Sequence, residues 1–103
     1  QNEFNVLIVS DTGFSTANLL STKLKSLFNI NIVALVPISE IPEILNKHNV
    51  DLIVSTSTFN ITNIDSHIPC VVVNPLLTQE DVLLFRQFVK KIRKNKIERM
   101  KLL

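Results

Sequence analysis

The sequence predicts an α/β domain, a small doubly wound four-stranded parallel sheet with helices on both faces. Four apolar segments rich in β-branched residues are typical of strands buried on both faces. The order strand, helix, strand, helix, strand, loop, strand, helix implies right-handed crossovers between parallel strands. With 103 residues, 46% of them hydrophobic, the chain is long enough to bury one continuous core.

The four predicted strands are read from their apolar content. The first covers Phe4–Ser10, a nearly continuous apolar run that predicts a central strand. The second covers Ile30–Ile38, the third Val50–Val54 and the fourth Cys70–Val73. Between the third and fourth strands, Ser55–His67 is a polar segment rich in Ser, Thr and Asn. Its length is near the upper limit for a plain connection, which favours a functional or partly ordered loop.

The helix predicted after the first strand carries leucines on one face. Leu20, Leu24 and Leu27 follow one another at i, i+4 and i+7. Ser15 is predicted as the N-cap of this helix, and Asn29 as the left-handed residue that ends it.

A shorter helix is predicted after the second strand. Ser39 is its expected N-cap, and Pro42 falls in the first turn, where a missing N–H costs little. Asn49 is expected to end it. The residues predicted to face inward are Ile41, Ile44 and Leu45.

The last helix has the clearest local start. Thr78–Asp81 has capping-box spacing, and Leu77 and Val82 stand where a hydrophobic staple would form. Helical spacing then continues through the core positions Val82, Phe85, Phe88, Val89 and Ile92.

Charge divides the chain into two parts. Residues 1–85 contain three lysines and eight carboxylates, a net charge of −5, whereas residues 86–103 contain eight basic residues and one glutamate, a net charge of +7. We therefore predict an α/β domain over residues 1–90 and a basic helical extension or connector over residues 91–103. Runs of like charge are usually solvated faces, although they also occur in tails that bind nucleic acid.

Composition excludes several classes of site. A lone cysteine, Cys70, and two well-separated histidines, His48 and His67, give neither a disulfide framework nor the usual zinc spacings. No apolar run approaches the ~20 residues needed to cross a bilayer, and the N-terminus lacks a signal-peptide pattern. The expectation is a cytoplasmic chain with no metal, no cofactor and no membrane partner.

The loop after the first strand is the candidate site, because ligands of doubly wound sheets gather outside the carboxyl ends of the strands. Its glycine, Gly13, is the only one in the chain and stands just before a helix. Glycine allows close approach of an anion, and the helix start offers unpaired N–H groups. A plain tight turn made by Gly13 is the open alternative. The predicted anion or phosphate loop comprises Ser10, Asp11, Thr12, Gly13, Phe14, Ser15 and Thr16.

Other chemistries are disfavoured at this loop. The Gly-rich sequences of P-loops and of dinucleotide-binding folds are absent. A phospho-acceptor aspartate belongs at the end of the third strand, whereas Asp51 stands at its start and is predicted to be a solvated turn residue. Serine hydrolysis needs a base near Ser10, and the spacing aligns neither His48 nor His67 with it.

Two segments resemble a known family. The Ser10–Ala17 loop is similar to a Cys-x-x-Gly-x-[Gly/Ser]-Thr-Ser loop that follows the first strand, and Val71–Asp81 is similar to a Val-Ser-Pro-Leu-Leu-Thr-x-Glu-Asp segment after the fourth. Both motifs belong to enzyme IIB components of the bacterial sugar phosphotransferase system, of the lactose/cellobiose and galactitol-like types. The resemblance covers most of residues 4–90 and implies the Rossmann-like fold of that family.

The chain departs from that family at its reactive position. Ser10 stands where the family carries its phosphorylated cysteine. A serine hydroxyl is a far weaker acid than a thiol and would form a more stable ester, so rapid phosphate relay is not expected. The loop also resembles that of low-molecular-weight tyrosine phosphatases, but their cysteine is absent and Thr16 stands in place of their arginine. No catalytic residue is therefore predicted.

The resemblance implies a regulatory role. Enzyme IIB-like domains occur in transcription regulators of the phosphotransferase system, of the antiterminator and activator types with PRD modules, where catalysis is dispensable. The implied partners are enzyme IIA-like or IIB-like proteins or neighbouring domains of the same regulator, with nucleic acid bound only through sibling domains and pairing with a second copy left open. Asp11 raises the hypothesis that its carboxylate imitates the phosphorylated state; the open alternative is a surface aspartate that caps the turn.

Two other functions stay open. The first is a standalone enzyme IIB phosphocarrier with unusual chemistry at Ser10 or Asp11. The second is a nucleic-acid-binding module that uses the basic C-terminal helix, although residues 89–103 contain no aromatic side chain for stacking on bases.

Overall fold

The computed structural model of the chain describes residues 3–11, 13–57 and 67–102. A short 3-10 turn, Ile38–Glu40, lies between the second strand and the second helix. The elements are β1 (Asn5–Val9), α1 (Phe14–Leu27), β2 (Asn31–Val36), α2 (Ile41–Lys47), β3 (Leu52–Ser55), β4 (Cys70–Val72) and α3 (Gln79–Lys101).

The four strands form one sheet in the order β2-β1-β3-β4, and every neighbouring pair is parallel. This arrangement confirms the predicted fold class. The chain moves from β1 to β2 on one side and then to β3 on the other, so the strand order reverses beside β1. Ligand sites of such sheets lie at this reversal, outside the carboxyl ends of the strands. The candidate loop after β1 therefore stands at the expected place.

Two core clusters lie on opposite faces of the sheet. On one face, α1 and α3 pack against the side chains of Val6, Ile8 and Leu52. On the other face, α2 packs through Ile41 against Leu7 and Ile53. The alternation of neighbours such as Val6 and Leu7 between the two clusters is the period of two expected for strands buried on both faces. Helices on both faces are thus confirmed.

Both residues predicted to cap α1 are wrong. α1 begins at Phe14, with Gly13 rather than Ser15 as its N-cap, because the residues after Gly13 are already helical and Gly13 itself, with φ 115°, is not. Its carbonyl accepts a hydrogen bond from the N–H of Ala17 at 3.3 Å. Asn29 is not left-handed, since α1 ends at Leu27 and Phe28 continues in extended conformation.

The start of α2 also differs from the prediction. Ser39 lies inside the 3-10 turn, so Glu40 is the N-cap and makes no side-chain capping bond. The helix ends at Lys47, two residues before Asn49. Pro42 does fall in the first turn, and Ile41 is buried, as predicted.

The capping box of α3 is confirmed. The Asp81 N–H donates to Thr78 Oγ1 at 3.2 Å, and the Thr78 N–H donates to Asp81 Oδ2 at 3.1 Å. The same carboxylate oxygen accepts from the Asn74 N–H at 2.9 Å, which ties the β4–α3 loop to the helix start. α3 then continues without a break through residues 90 and 91.

The second half of α3 contacts the amino edge of the sheet. Asp51 is not a solvated turn residue: its Oδ2 accepts from the Asn5 N–H at 2.8 Å and its Oδ1 from Lys96 Nζ at 3.1 Å. Lys96 Nζ also donates to the Glu3 carbonyl at 3.3 Å. The prediction failed because α3 runs past the strand ends and carries an ammonium group to this carboxylate.

No helix among the described residues combines the length and the apolar character needed to span a membrane.

Candidate functional site

Ser10 lies at the carboxyl edge of the sheet, directly after β1. Its N–H donates to the Val36 carbonyl at the end of β2, at 3.1 Å. On the other side, the N–H of Thr56 donates to the Val9 carbonyl at 3.2 Å. Backbone hydrogen bonds from both neighbouring strands therefore fix the position of Ser10 at the point where the strand order reverses.

A group of hydroxyls surrounds this position. Ser10 is 9% exposed, and its Oγ accepts a hydrogen bond from Thr56 Oγ1 at 3.3 Å. Ser55 is fully buried, donates to the Ser57 carbonyl and accepts from the Ser57 N–H. The sequence predicted a polar loop after the third strand but not the contact of Thr56 with Ser10. The order of the strands, which brings β3 beside β1, is the information that was missing.

The start of α1 forms one wall of a cleft beside Ser10. Gly13 has φ 115°, a conformation that strongly favours glycine, and no described side chain caps the helix. Gly13 therefore contributes no side chain to the N–H groups of the first turn, the type of group that binds anions at helix starts. The cleft has a volume of about 310 Å³. We name it the β1–α1 cleft, and it is lined by Ser10, Asp11, Gly13, Phe14, Ala17, Leu35, Val36 and Pro37.

The predicted loop residues differ in their surroundings. Phe14 and Ser15 are exposed in the first turn of α1, and Thr16 is half-buried. Thr12 lies outside the described residues, as do residues 58–66 of the polar segment. Ser10, Asp11, Gly13 and Phe14 are the predicted residues that line the cleft together.

Asp11 joins the two walls of the cleft. Its side chain is exposed, and its Oδ1 accepts from the Ile38 N–H at 3.4 Å, a long hydrogen bond. Ile38 begins the turn after β2, so the carboxylate links the β1–α1 loop to that turn. A negative charge is thereby held at the mouth of the cleft. No lysine, arginine or histidine is among the residues that line it.

Cys70 and the two histidines lie at the amino edge of the sheet, opposite the edge where Ser10 lies. Cys70 begins β4, where it pairs with Ile53. His48 follows α2 and His67 precedes β4, and both line a groove at the amino ends of the strands together with Asp51. Neither histidine is placed to act as a base for Ser10. The described residues contain no group of three or more His, Cys, Asp or Glu side chains arranged to hold a metal ion.

Among the described residues, the thiol of Cys70 has a pKa that departs from its ordinary value. Burial raises the pKa of its thiol. Because the thiolate is the nucleophile, we expect iodoacetamide to alkylate the folded protein more slowly than the urea-unfolded chain near the ordinary thiol pKa of about 8.5. The rate is measured by mass spectrometry. Equal rates in the two states would contradict this expectation.

The same thiol predicts a pH dependence of stability. The folded state keeps the proton at pH values where the unfolded thiol has lost it, so this contribution is complete below about pH 8.5 and is lost as the pH rises through the native pKa. Urea unfolding of the wild type and of Cys70→Ala, repeated about every half pH unit between pH 7 and pH 10, measures the contribution of the thiol to stability. The stability of the wild type relative to the variant should fall above pH 8.5 or so. Parallel profiles would contradict the prediction.

No family model matches the sequence, and comparison with curated proteins and with solved structures found no match.

Proposed function

We propose that the chain is a non-catalytic enzyme IIB-like regulatory domain of a transcription regulator linked to the sugar phosphotransferase system, of the antiterminator or activator type. The observation that carries the proposal is the Ser10 hydroxyl, buried after β1 and bonded by Thr56 Oγ1. The resemblance aligns this residue with the family's phosphorylated cysteine. The proposed compartment is the cytoplasm.

The chemistry of the cleft supports loss of catalysis. A serine hydroxyl needs a base or a strong positive field to become a nucleophile. The described lining of the β1–α1 cleft has no lysine, arginine or histidine, and the Asp11 carboxylate accepts from the Ile38 N–H rather than from Ser10 among the hydrogen bonds found. The carboxylate of Asp11 adds a negative charge that opposes an incoming phosphoryl group. Ser10 is therefore expected to stay unmodified.

The same carboxylate supports a fixed signalling state. In the enzyme IIB resemblance, the loop gains negative charge only when it is phosphorylated. Here the carboxylate of Asp11 supplies one negative charge without phosphorylation. It also accepts a hydrogen bond from the Ile38 N–H, which links it to the turn after β2. We expect the proposed partners to bind the surface around Asp11. These partners are enzyme IIA-like or IIB-like proteins, or neighbouring domains of the regulator.

A phosphotransfer assay tests the proposal. The chain is incubated with labelled phosphoenolpyruvate, enzyme I, the histidine carrier protein and enzyme IIA proteins of the lactose/cellobiose and galactitol types. We expect no stable label on the wild type, and the same result for Ser10→Ala. Label on the wild type that Ser10→Ala abolishes would overturn the proposal in favour of a standalone phosphocarrier.

A reporter assay tests the regulatory part. In the full-length regulator, Ser10→Ala should leave the sugar-dependent output unchanged, because the hydroxyl is not a phosphate carrier. Asp11→Asn removes the permanent charge but keeps an oxygen for the Ile38 N–H, so it should change the output. An unchanged output in Asp11→Asn would contradict the role of the carboxylate.

A further inference from the structure

Helix α3 carries cations that the fold does not use. Three of its basic residues are engaged: the Arg86 guanidinium lies 5.5 Å from the centroid of the Phe28 ring, Arg93 donates to the Asn29 carbonyl at 2.9 Å, and Lys96 pairs with Asp51 at 3.1 Å. None of the other basic residues of α3 forms an ion pair with an acidic residue in the described part of the chain. The exposed basic residues of α3 that form neither an ion pair nor a cation–π contact in the described part of the chain are Lys90, Lys91, Lys94, Arg99 and Lys101.

Three of these cations share one face of the helix. At 3.6 residues per turn, Lys90, Lys94 and Lys101 fall within about 40° of one another around the helix axis. At 1.5 Å per residue they extend over about 16 Å. We call these three residues the basic face. A row of ammonium groups thus lies along one side of α3.

The opposite side of α3 packs against the sheet. Phe85, Val89 and Ile92 are buried in the core beneath α3, so the sheet covers the apolar face up to Ile92, whereas Ile97 and Met100 farther along the helix are exposed. A membrane-surface helix needs that apolar face free to enter the lipid. Packing therefore leaves only the short apolar stretch of Ile97 and Met100 for contact with lipid, which favours a charged partner in water over a lipid surface.

The charge of the rest of the chain determines which partner fits. Residues 1–85 carry a net charge of −5, and residues 86–103 carry +7. A polyanion is attracted to the side that α3 occupies and repelled from the remainder, which orients its approach. A second copy would bring one basic face against another if the two copies paired through α3.

We propose that the basic face binds the phosphate backbone of double-stranded nucleic acid without regard to base sequence. A duplex presents about one negative charge per 1.7 Å of its axis, so a 16 Å row of lysines meets several phosphates. Lysine binds phosphate as a point charge, which suits a uniform line of anions. The aromatic residues of α3, Phe85 and Phe88, are buried and half-buried, so the outer face offers no ring for stacking on bases. This inference does not depend on the proposed function.

Fluorescence anisotropy with labelled duplexes of about 20 base pairs tests the proposal as the salt concentration is varied. Three phosphate contacts predict a slope of log K against log salt of about −3. In Lys90→Gln/Lys94→Gln the slope should fall to about −1, and the affinity at low salt by at least about tenfold. Two duplexes of unrelated sequence should bind equally.

The matched control is Lys25→Gln/Lys47→Gln. It removes the same charge from exposed helical positions on α1 and α2, outside the basic face. Its affinity and salt slope should stay close to those of the wild type. Circular dichroism verifies that both double variants are folded.

Three results would overturn the proposal. The first is no duplex binding by the wild type at low salt, and the second is an equal loss of affinity in the two double variants, which would show an effect of net charge alone. The third is tighter binding to phosphatidylserine vesicles than to duplex, with loss in Lys90→Gln/Lys94→Gln, which would assign the face to a membrane.

Discussion

Phe85→Ala should lower the free energy of unfolding by about 3–5 kcal/mol, the range for phenylalanine truncation in a well-packed core. Phe85 is fully buried where α3 crosses the sheet, and its ring contacts that of Phe28 edge-to-face with centroids 4.7 Å apart. The substitution removes this aromatic pair and leaves a cavity that the surrounding strands cannot collapse to fill. Urea unfolding followed by circular dichroism measures the loss.

Phe14→Ala provides the matched control, since the same side chain is removed from the first turn of α1, where Phe14 is 70% exposed. Its stability should stay within about 0.5 kcal/mol of the wild type, as is usual for surface substitutions. A small effect of Phe85→Ala, comparable to that of Phe14→Ala, would mean that α3 is not packed on the sheet. The rigid display of the basic face would then lose its support as well.

The fold was predictable because its evidence is local. The run of apolar residues in β1 and the apolar spacing of α3 each report burial within one element. The Thr78–Asp81 capping box involves residues three apart, and it forms as predicted. The errors in the predicted N-caps also have local causes. Gly13 is the N-cap of α1, two residues before Ser15, and Ser39 lies inside the 3-10 turn that precedes α2.

The contacts that give the candidate site its character join residues far apart in sequence. Thr56 and Ser10 are 46 positions apart, and Asp51 and Lys96 are 45 apart. Neither pair shares an element, so no periodicity connects them. The order of the strands brings Thr56 to Ser10, and the length of α3 brings Lys96 to Asp51. Sequence patterns indicate which residues are polar, but they do not indicate which polar residues meet.

Asp51 joins the amino edge of the sheet to α3 through its contacts with Asn5 and Lys96. Two substitutions of Asp51 should change the free energy of unfolding by different amounts. Asp51→Ala removes the acceptor of the Asn5 N–H and the partner of Lys96, and we expect a loss of about 2–3 kcal/mol, because a half-buried backbone donor is left unsatisfied. Asp51→Asn keeps an oxygen for the Asn5 N–H and removes only the charge. Its loss should stay below about 1 kcal/mol, the usual limit for a pair whose lysine is partly exposed to water.

Lys96→Met separates the two contributions further, because it keeps the aliphatic stem and removes only the ammonium group. We expect it to cost slightly more than Asp51→Asn, because the hydrogen bond to the Glu3 carbonyl is lost as well. Asp51→Asn/Lys96→Met should cost little more than Lys96→Met alone, since both single substitutions remove the same ion pair. Urea unfolding at low and high salt measures the stability of the wild type and of these four variants. If Asp51→Asn were as destabilising as Asp51→Ala, the ion pair rather than the Asn5 hydrogen bond would hold the amino edge of the sheet to α3. The end of the basic helix would then loosen as salt screens the pair, whereas a junction held by the hydrogen bond should be nearly insensitive to salt.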